Sequence, residues 1–295
     1  MPITTKINPK DIKINVSDSG LGPWSHSKLK VLHKCPFQFY LKYLVKAKQI
    51  EETAPSLVTN VGKAAHAILE KVLLGKPLSE AYKTTKAEYR AILTEEEWEE
   101  QVISLEFQIQ KFQDRITEFS IANPIKRTLQ ELRIGVTKDW EPTGFFGEDV
   151  WFRGVVDVAL QLQRSKDVIF IDHKTGASAD YGIKNYKAQL NTYKLLFHFG
   201  IEKVEGAQAG IHFIRDGELL MDDYVTSSVI EGEFRNSLVY DIECAIEKVK
   251  EIGYFKHIAG SHCQWCDFKE ACKAADKPLF SLEKSTKEHF VTKVS

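Results

Sequence analysis

The sequence has no excess of charge of either sign, because 40 Lys and Arg residues stand against 41 Asp and Glu residues in a chain of 295. A nucleic-acid-binding domain usually carries a basic excess, and the whole-chain composition shows none. No apolar run approaches the roughly 20 residues that span a bilayer. Cysteine is also scarce, with five residues, which excludes a small disulfide-stabilised scaffold.

The first twenty residues lack the apolar stretch of a secretory signal, and we therefore expect a cytoplasmic protein. An odd number of cysteines in such a protein indicates metal binding or catalysis rather than disulfides. Internal repeats and low-complexity tracts are absent. The length fits one large domain or two small ones, with ample material for a buried core.

The hydrophobic pattern changes from helical spacing to strand alternation near residue 128, which predicts an α/β fold. Helices are predicted from Ser25 with a break at Pro36, and over 60–74, 78–123 (as two helices), 183–199 and 229–252. Strands are predicted over 128–136, 150–162, 168–175, 206–214 and 218–226. The simplest architecture is one α/β domain with a helical insertion.

Two carboxylates and one ammonium group fall on the predicted hairpin of strands 150–162 and 168–175. Under the two-residue period of a strand, Asp157 shares a face with Ala159, and Asp172 shares a face with Lys174, while His173 points away. Carboxylates meeting at a sheet end would bind a hard cation such as Mg²⁺. Ordinary solvated charges on an exposed strand are the alternative, but the apolar run before Asp172 is typical of an interior strand.

Four of the five cysteines form a second candidate site. Cys263, Cys266 and Cys272 follow a C-x₂-C-x₅-C spacing, and Cys35 lies far upstream. Four thiolates can hold either a zinc ion or an iron–sulfur cluster, and the spacing alone leaves both open. Cys244, on a predicted helix, is expected to be an unliganded and partly buried thiol.

These residues resemble the motifs of the PD-(D/E)XK nuclease superfamily, and the RecB-like exonuclease branch in particular. The resemblance rests on an Asp on one strand (Asp157), D-x-K on the next (Asp172 to Lys174), Gln189-x-x-x-Tyr193 on the following helix, and G-x-x-x-H ending at His66. It implies a restriction-endonuclease-like fold with a central mixed sheet flanked by helices.

The resemblance also implies the domain limits. We expect an irregular lead-in over 1–24, a single nuclease domain over 25–275 and a tail over 276–295. Within the domain we expect a helical insertion over 76–126 and a cysteine cluster over 260–275 that closes on Cys35.

The resemblance assigns a metal site for Mg²⁺ or Mn²⁺. Its implied ligands are Asp157, Asp172 and the backbone carbonyl of His173, with His66 as a further ligand or a gate to the metal.

Four other residues receive roles in or beside catalysis from the same resemblance. Lys174 would position or activate the attacking water, and Gln189 and Tyr193 would orient the site or touch DNA. Glu131 resembles the extra acidic residue of the superfamily, although a strand with one exposed Glu would look the same.

The cysteine pattern resembles that of AddB-type helicase–nuclease subunits and CRISPR-adaptation nucleases. In those proteins one Cys precedes the nuclease core, three follow it, and together they hold a [4Fe–4S] cluster. The segment around Cys35 is similar as well. The resemblance implies the same cluster here, with a structural role of tying the ends of the chain together.

The function that follows is a metal-dependent DNA exonuclease that cuts phosphodiester bonds in single-stranded DNA or at DNA ends. One alternative is a non-catalytic or partner-dependent DNA-binding subunit of a recombination or CRISPR-adaptation complex; the filled catalytic positions argue against it. A zinc-binding redox or regulatory protein is another, but it leaves Asp157 and Asp172 unexplained. The sequence has no phosphate-binding motif of the helicase type, so any unwinding needs a helicase or recombination partner.

Local charge differs from the whole-chain balance. Residues 1–50 contain nine Lys against only Asp11 and Asp18, and residues 248–295 contain nine Lys against six acidic residues. The four cysteines are expected to bring these two basic ends together. Phosphate-binding charge could therefore gather near the site while the total stays near zero.

Overall fold

A computed structural model describes residues 21–44, 46, 56–176, 183–252, 255, 257–268 and 272. The chain divides into two compact units, a smaller one of Met1–Thr53 with Ser237–Ser295 and a larger one of Ala54–Asn236. Most of the predicted lead-in, all of the predicted tail and at least half of each basic end lie outside the described residues, so those predictions stay predictions.

The helices, in chain order, are α1 (His26–Lys34), α2 (Pro36–Phe39), α3 (Leu57–Leu73), α4 (Leu78–Tyr89), α5 (Glu95–Glu97), α6 (Glu106–Ala122), α7 (Lys187–Gly200), α8 (Ser227–Val229) and α9 (Arg235–Ile252). The strands are β1 (Ile125–Val136), β2 (Pro142–Thr143), β3 (Phe152–Leu162), β4 (Val168–Lys174), β5 (Gly206–Phe213), β6 (Glu218–Met221) and β7 (Val225–Thr226). Shorter π or 3₁₀ turns cover Tyr40–Leu44, Trp98–Val102, Ile103–Leu105, Ile183–Tyr186, Ile230–Phe234 and Ser261–Trp265.

The strands of the larger unit form one mixed sheet in the order β2-β1-β3-β4-β5-β6, and β7 also pairs with β5. Strands β1, β3 and β4 pair antiparallel, whereas β4 and β5 are parallel. A parallel pair needs a crossover connection, and α7 supplies it.

One face of the sheet packs against α7. A Cβ added to Gly154 on β3 would meet Leu196 of α7 at 2.6 Å, and one added to Gly200 would overlap Ile134 of β1. These two glycines therefore let the helix approach the sheet closely. On β4, the ring of Phe170 lies 5.5 Å from the ring of Phe197, between centroids.

The opposite face packs against α3, α4 and α6. The buried cluster there joins residues of these helices with four residues of the sheet and its edge: Val158, Leu160, Ile171 and Ile214. Burying such side chains is the main source of stability for a two-faced sheet of this kind. The observed mixed α/β architecture, with a central mixed sheet flanked by helices, confirms the predicted fold class.

Several element boundaries differ from the prediction for identifiable reasons. Helix α3 begins at Leu57 rather than at residue 60, because the Ser56 side chain accepts the Thr59 N–H and caps the helix there. The predicted strand 218–226 is two short strands, β6 and β7, which both pair with β5. Strand β2 has two residues and no periodicity that a pattern could reveal.

The described part of the smaller unit is held by aromatic packing around α1 and α2. Trp24 stacks on Phe39 at 6.1 Å, and Tyr40 stacks on Phe255 at 5.1 Å between ring centroids. Such ring pairs contribute beyond the area they bury.

Within the part of the chain that the structure describes, no helix combines the length and apolar character needed to cross a membrane.

Candidate functional site

The site of the larger unit lies where β3 and β4 separate. The last paired residues are Val158 and Ile171. Asp157 and Asp172 occupy the next position on each strand, at the opening. Asp157 Oδ2 accepts a hydrogen bond of 2.9 Å from the backbone N–H of His173, across that opening. Two carboxylates from neighbouring strands therefore meet at the sheet end, as the sequence predicts.

The alternation along β3 breaks at this point. Asp157 Oδ2 lies 4.0 Å from His66 Nδ1 of α3, whereas Ala159 pairs with Phe170, which faces α7. The prediction that Asp157 and Ala159 share a face is therefore wrong. The cause is a local irregularity: the β1–β3 ladder is interrupted at Glu131, whose φ of 45° is in the left-handed region. Such a conformation is costly for a non-glycine residue and is often found at functional sites.

Asp172 is held by three side chains. Its Oδ1 accepts hydrogen bonds from the Tyr193 hydroxyl at 2.5 Å and from Gln189 Nε2 at 2.8 Å. Gln189 Nε2 also donates to the Tyr193 oxygen at 2.7 Å, as expected for residues four apart on α7. Lys174 Nζ lies 2.6 Å from Oδ2 and forms an ion pair with it.

A candidate metal site forms around Asp157. Among the described residues, ligand atoms of His66, Glu131 and Asp157 all lie within 4.8 Å of one another. Asp172 lies outside this group; its buried Oδ2 accepts no hydrogen bond of normal geometry and is paired with the Lys174 ammonium 2.6 Å away. One imidazole with carboxylate oxygens fits Mg²⁺ or Mn²⁺, so the residues present suit the metal that the sequence motifs imply.

The electrostatic environment favours neutral groups when no cation is bound. Burial, together with repulsion from Asp172, raises the pKa of Asp157 to about 7. Burial and then Glu70 raise the pKa of Glu131. Burial lowers the pKa of His66, although the Asp172 carboxylate opposes that effect. A neutral imidazole is the form that binds a metal, and a cation would compensate the carboxylates.

We expect metal affinity to increase with pH. Because the pKa of Asp157 is about 7, a metal must displace its proton below that pH. Mn²⁺ should bind about tenfold more tightly at pH 8 than at pH 6, the factor for one group with that pKa. Titration calorimetry of the wild type and of Asp157→Asn measures this. Equal wild-type affinities at both pH values would contradict a metal ligand that titrates near pH 7.

A buried histidine pair behind the site was not predicted. His173 Nδ1 and His212 Nδ1 are 2.9 Å apart, and Phe112 of α6 stacks on His212 at 4.1 Å between centroids. Burial, and then the neighbouring His212, lower the pKa of His173; burial, and then Arg115, lower that of His212 to about 3. The only sign in the sequence is a polar residue inside the apolar strand G-I-H-F-I.

The glycine of the G-x-x-x-H motif has a packing role. A Cβ on Gly62 would lie 2.7 Å from Thr175 Oγ1, just after β4. Because Gly62 and His66 are one helical turn apart, the close approach at the glycine brings His66 over the end of the sheet. The spacing in the motif thus reflects how closely α3 can approach β4.

The four predicted cysteines lie together in the smaller unit. They line one cavity with Phe37, Leu41, His257, His262 and Phe268, among others: Cys35, Cys263, Cys266 and Cys272. Burial, followed by the three other thiols, raises the pKa of Cys272 to about 12. Cys244 is half-buried on α9 and does not line this cavity.

The arrangement of the four thiols is compatible with two kinds of metal centre. Cysteines around one cavity can hold a zinc ion or an iron–sulfur cluster.

The family model of the PD-(D/E)XK nuclease superfamily matches residues 23–273. Among solved structures, a "Putative exonuclease" from Eubacterium rectale is similar over 79% of this chain and 86% of its own, with TM-score 0.44 and 13% identity. The protein SSO0001 is similar over 73% and 96%, with TM-score 0.30 and 15% identity. No curated protein sequence matches this chain.

Proposed function

The chain belongs to the PD-(D/E)XK nuclease superfamily, and on this premise we propose that it is a metal-dependent DNA exonuclease of the RecB-like branch. It would hydrolyse phosphodiester bonds. The observation that carries the proposal is the meeting of Asp157, Asp172 and Lys174 at the end of the β3–β4 hairpin. Two largely buried carboxylates beside a partly exposed ammonium are costly for stability, and a reaction that uses them accounts for their presence.

We propose Mg²⁺ or Mn²⁺ as the metal. Its ligands would be His66, Asp157, Asp172 and the backbone carbonyl of His173, with Glu131 close enough to join or to orient a bound water. When bound, such a cation lowers the pKa of water and offsets charge on the phosphate.

The protein groups around the metal have separable roles in this proposal. The Lys174 ammonium, 30% exposed, would hold the attacking water and stabilise the charge that develops on phosphorus. One P–O ester bond would break as the water oxygen attaches to phosphorus; the water would lose a proton to solvent, and the departing oxygen would take one from solvent. Tyr193 and Gln189 act as positioning residues, since both bonds to Asp172 Oδ1 turn its other oxygen toward Lys174.

The burial of Tyr193 supports this positioning role. Burial, followed by the carboxylates of Asp172 and Asp157, raises the pKa of the Tyr193 phenol. The hydroxyl therefore keeps its proton and remains a hydrogen-bond donor to Asp172 at any pH at which the enzyme would act.

The exonuclease assignment predicts a requirement for DNA ends. Linear single-stranded DNA with Mg²⁺ or Mn²⁺ should be degraded to short products, while a circle of the same sequence should persist. Labelling the two ends in separate reactions then gives the polarity. Cleavage of circle and linear DNA at equal rates would make the enzyme an endonuclease and leave the superfamily assignment intact.

We also propose that Cys35, Cys263, Cys266 and Cys272 hold a [4Fe–4S] cluster. Their shared cavity, together with the C-x₂-C-x₅-C spacing and the upstream Cys35, supports this choice. The cluster would be structural, because a bound metal centre that the unfolded chain cannot form adds its binding free energy to folding. Within the smaller unit it would join the N-terminal helices to the segment after α9.

Two further predictions from the sequence stay predictions. They are a helicase or recombination partner, and a place in the cytoplasm.

A further inference from the structure

The loop between β2 and β3 presents two phenylalanine rings next to two arginines. Arg153 Cζ lies 4.8 Å from the ring centre of Phe145 and 5.4 Å from that of Phe146. Arg133 Cζ lies 6.0 Å from the Phe145 ring. We call Arg133, Phe145, Phe146 and Arg153 the arginine–phenylalanine patch.

The patch exposes groups that proteins usually bury or pair. Phe146 is 75% exposed, although a phenylalanine gains stability by leaving water. Among the described residues, Arg127 forms an ion pair with a carboxylate, whereas neither Arg133 nor Arg153 does. Both guanidinium groups therefore remain able to bind an external anion.

The loop carrying the rings is held in place. Arg153 Nη1 donates to the Phe145 carbonyl at 2.9 Å, and the Thr143 hydroxyl donates to Asp149 Oδ1 at 2.5 Å. The Gly147 N–H donates to the Gly144 carbonyl at 2.8 Å. A ligand that binds here would lose little affinity to ordering of the loop.

The patch lies on the same side of the sheet as His66. Ile134 and Gly154 form a pair and face α7, so their neighbours Arg133 and Arg153 face the opposite side, where His66 lies. Arg133 is two positions along the strand from Glu131, or about 7 Å, and Arg153 is four positions from Asp157, or about 13 Å. A DNA strand with a phosphate at the site can therefore reach the patch.

We propose that the arginine–phenylalanine patch binds single-stranded DNA next to the scissile phosphate, with a base stacked on Phe146 and phosphates on Arg133 and Arg153. An exposed ring can stack on an unpaired base, whereas the bases of a duplex are already stacked on each other. The exposed Glu148 in the same loop disfavours a long phosphate contact of the kind a duplex makes. The chemistry thus favours a short single strand held by stacking.

The test rests on the proposed nuclease function and measures binding without cleavage. In buffer lacking divalent cations, a fluorescent oligo(dT) and a blunt hairpin duplex are titrated with full-length protein. Phe146→Ala should weaken oligo(dT) binding by roughly 5- to 150-fold, the range for loss of one stacked base, and leave duplex binding unchanged. The Phe146→Trp variant keeps an aromatic ring, so its affinity for oligo(dT) should equal that of the wild type. Phe107→Ala is the matched control, since Phe107 is 74% exposed on α6.

The arginines give a second readout through salt dependence. Each of Arg133→Ala and Arg153→Ala should reduce the slope of log affinity against log salt by about 0.7, the value per phosphate contact on a single strand. Arg90→Ala, an exposed arginine at the end of α4, should not change the slope.

Different results would overturn the two proposals. The patch is not a single-strand site if the Phe146→Ala variant binds oligo(dT) as tightly as the wild type. The same holds if the variant loses affinity for oligo(dT) and for the duplex by the same factor. If the wild type binds only duplex but still degrades DNA with metal, the patch proposal fails and the nuclease proposal stands. If the wild type degrades no DNA but the Phe146 effect appears, the nuclease proposal fails and the patch is a binding site alone.

Discussion

Lys174→Ala should reduce kcat for DNA hydrolysis by about 10²- to 10³-fold, the usual loss when one preorganised group that stabilises developing charge is removed. The ammonium lies 2.6 Å from Asp172 and reaches the opening between β3 and β4, where the phosphate would sit. Binding of single-stranded DNA should change less than threefold, because one surface-accessible cation contributes little to affinity compared with transition-state stabilisation. Initial rates on end-labelled DNA and fluorescence anisotropy measure the two quantities.

Lys166→Ala is the matched control, because Lys166 is an exposed lysine in the turn before the same strand. Its rate should equal that of the wild type. Circular dichroism should show that Lys174→Ala folds, since Tyr193 and Gln189 still hold Asp172. A folded Lys174→Ala protein that keeps more than half the wild-type rate would contradict the proposed role of the lysine.

Cys35→Ser should remove the iron–sulfur cluster and lower the melting temperature by about 10 °C, the size expected when several kcal/mol of stabilisation are lost in a chain of this length. Cys35 lines the cavity with the three C-terminal thiols, and serine is a poor ligand for iron. Serine is well suited to the start of α2, where Cys35 lies, so the local helix should survive. Iron and sulfide analysis, visible absorption and a thermal scan measure the result.

Cys244→Ser tests the same substitution at a thiol outside the cavity, and it should keep the full iron content and melting temperature. Wild-type protein prepared without oxygen should contain about four irons per chain. Protein that is colourless and holds one zinc instead would refute the cluster, and it would leave the nuclease site of the larger unit unaffected.

Much of the site could be predicted from sequence because its residues occur at short and chemically distinctive spacings. Asp172 and Lys174 are two residues apart on one strand, and Gln189 and Tyr193 are four apart on one helix. Where a strand or helix is regular, local periodicity places each such pair on one face. The structure brings both pairs together around Asp172, as the resemblance implies.

The irregular conformation at Glu131 could not be predicted, because a strand pattern assumes unbroken alternation. The interruption opposite Asp157 changes which side of the sheet each residue faces, and it leaves Asp157 near His66 while Ala159 faces α7. Nor could His212 be identified, since its place beside His173 depends on the parallel register of β4 and β5. Register between distant strands is a property of the tertiary fold.

The sequence by itself determined the chemistry available to this protein, because carboxylate, lysine and thiol groups at fixed spacings have their reactivity wherever the chain places them. It also determined the α/β class through its hydrophobic periods. Only the tertiary structure decided which groups meet, how deeply Asp157 is buried and which side of the sheet Arg133 and Arg153 occupy. Those properties depend on packing between segments far apart in the chain, and local propensities contain no information about it.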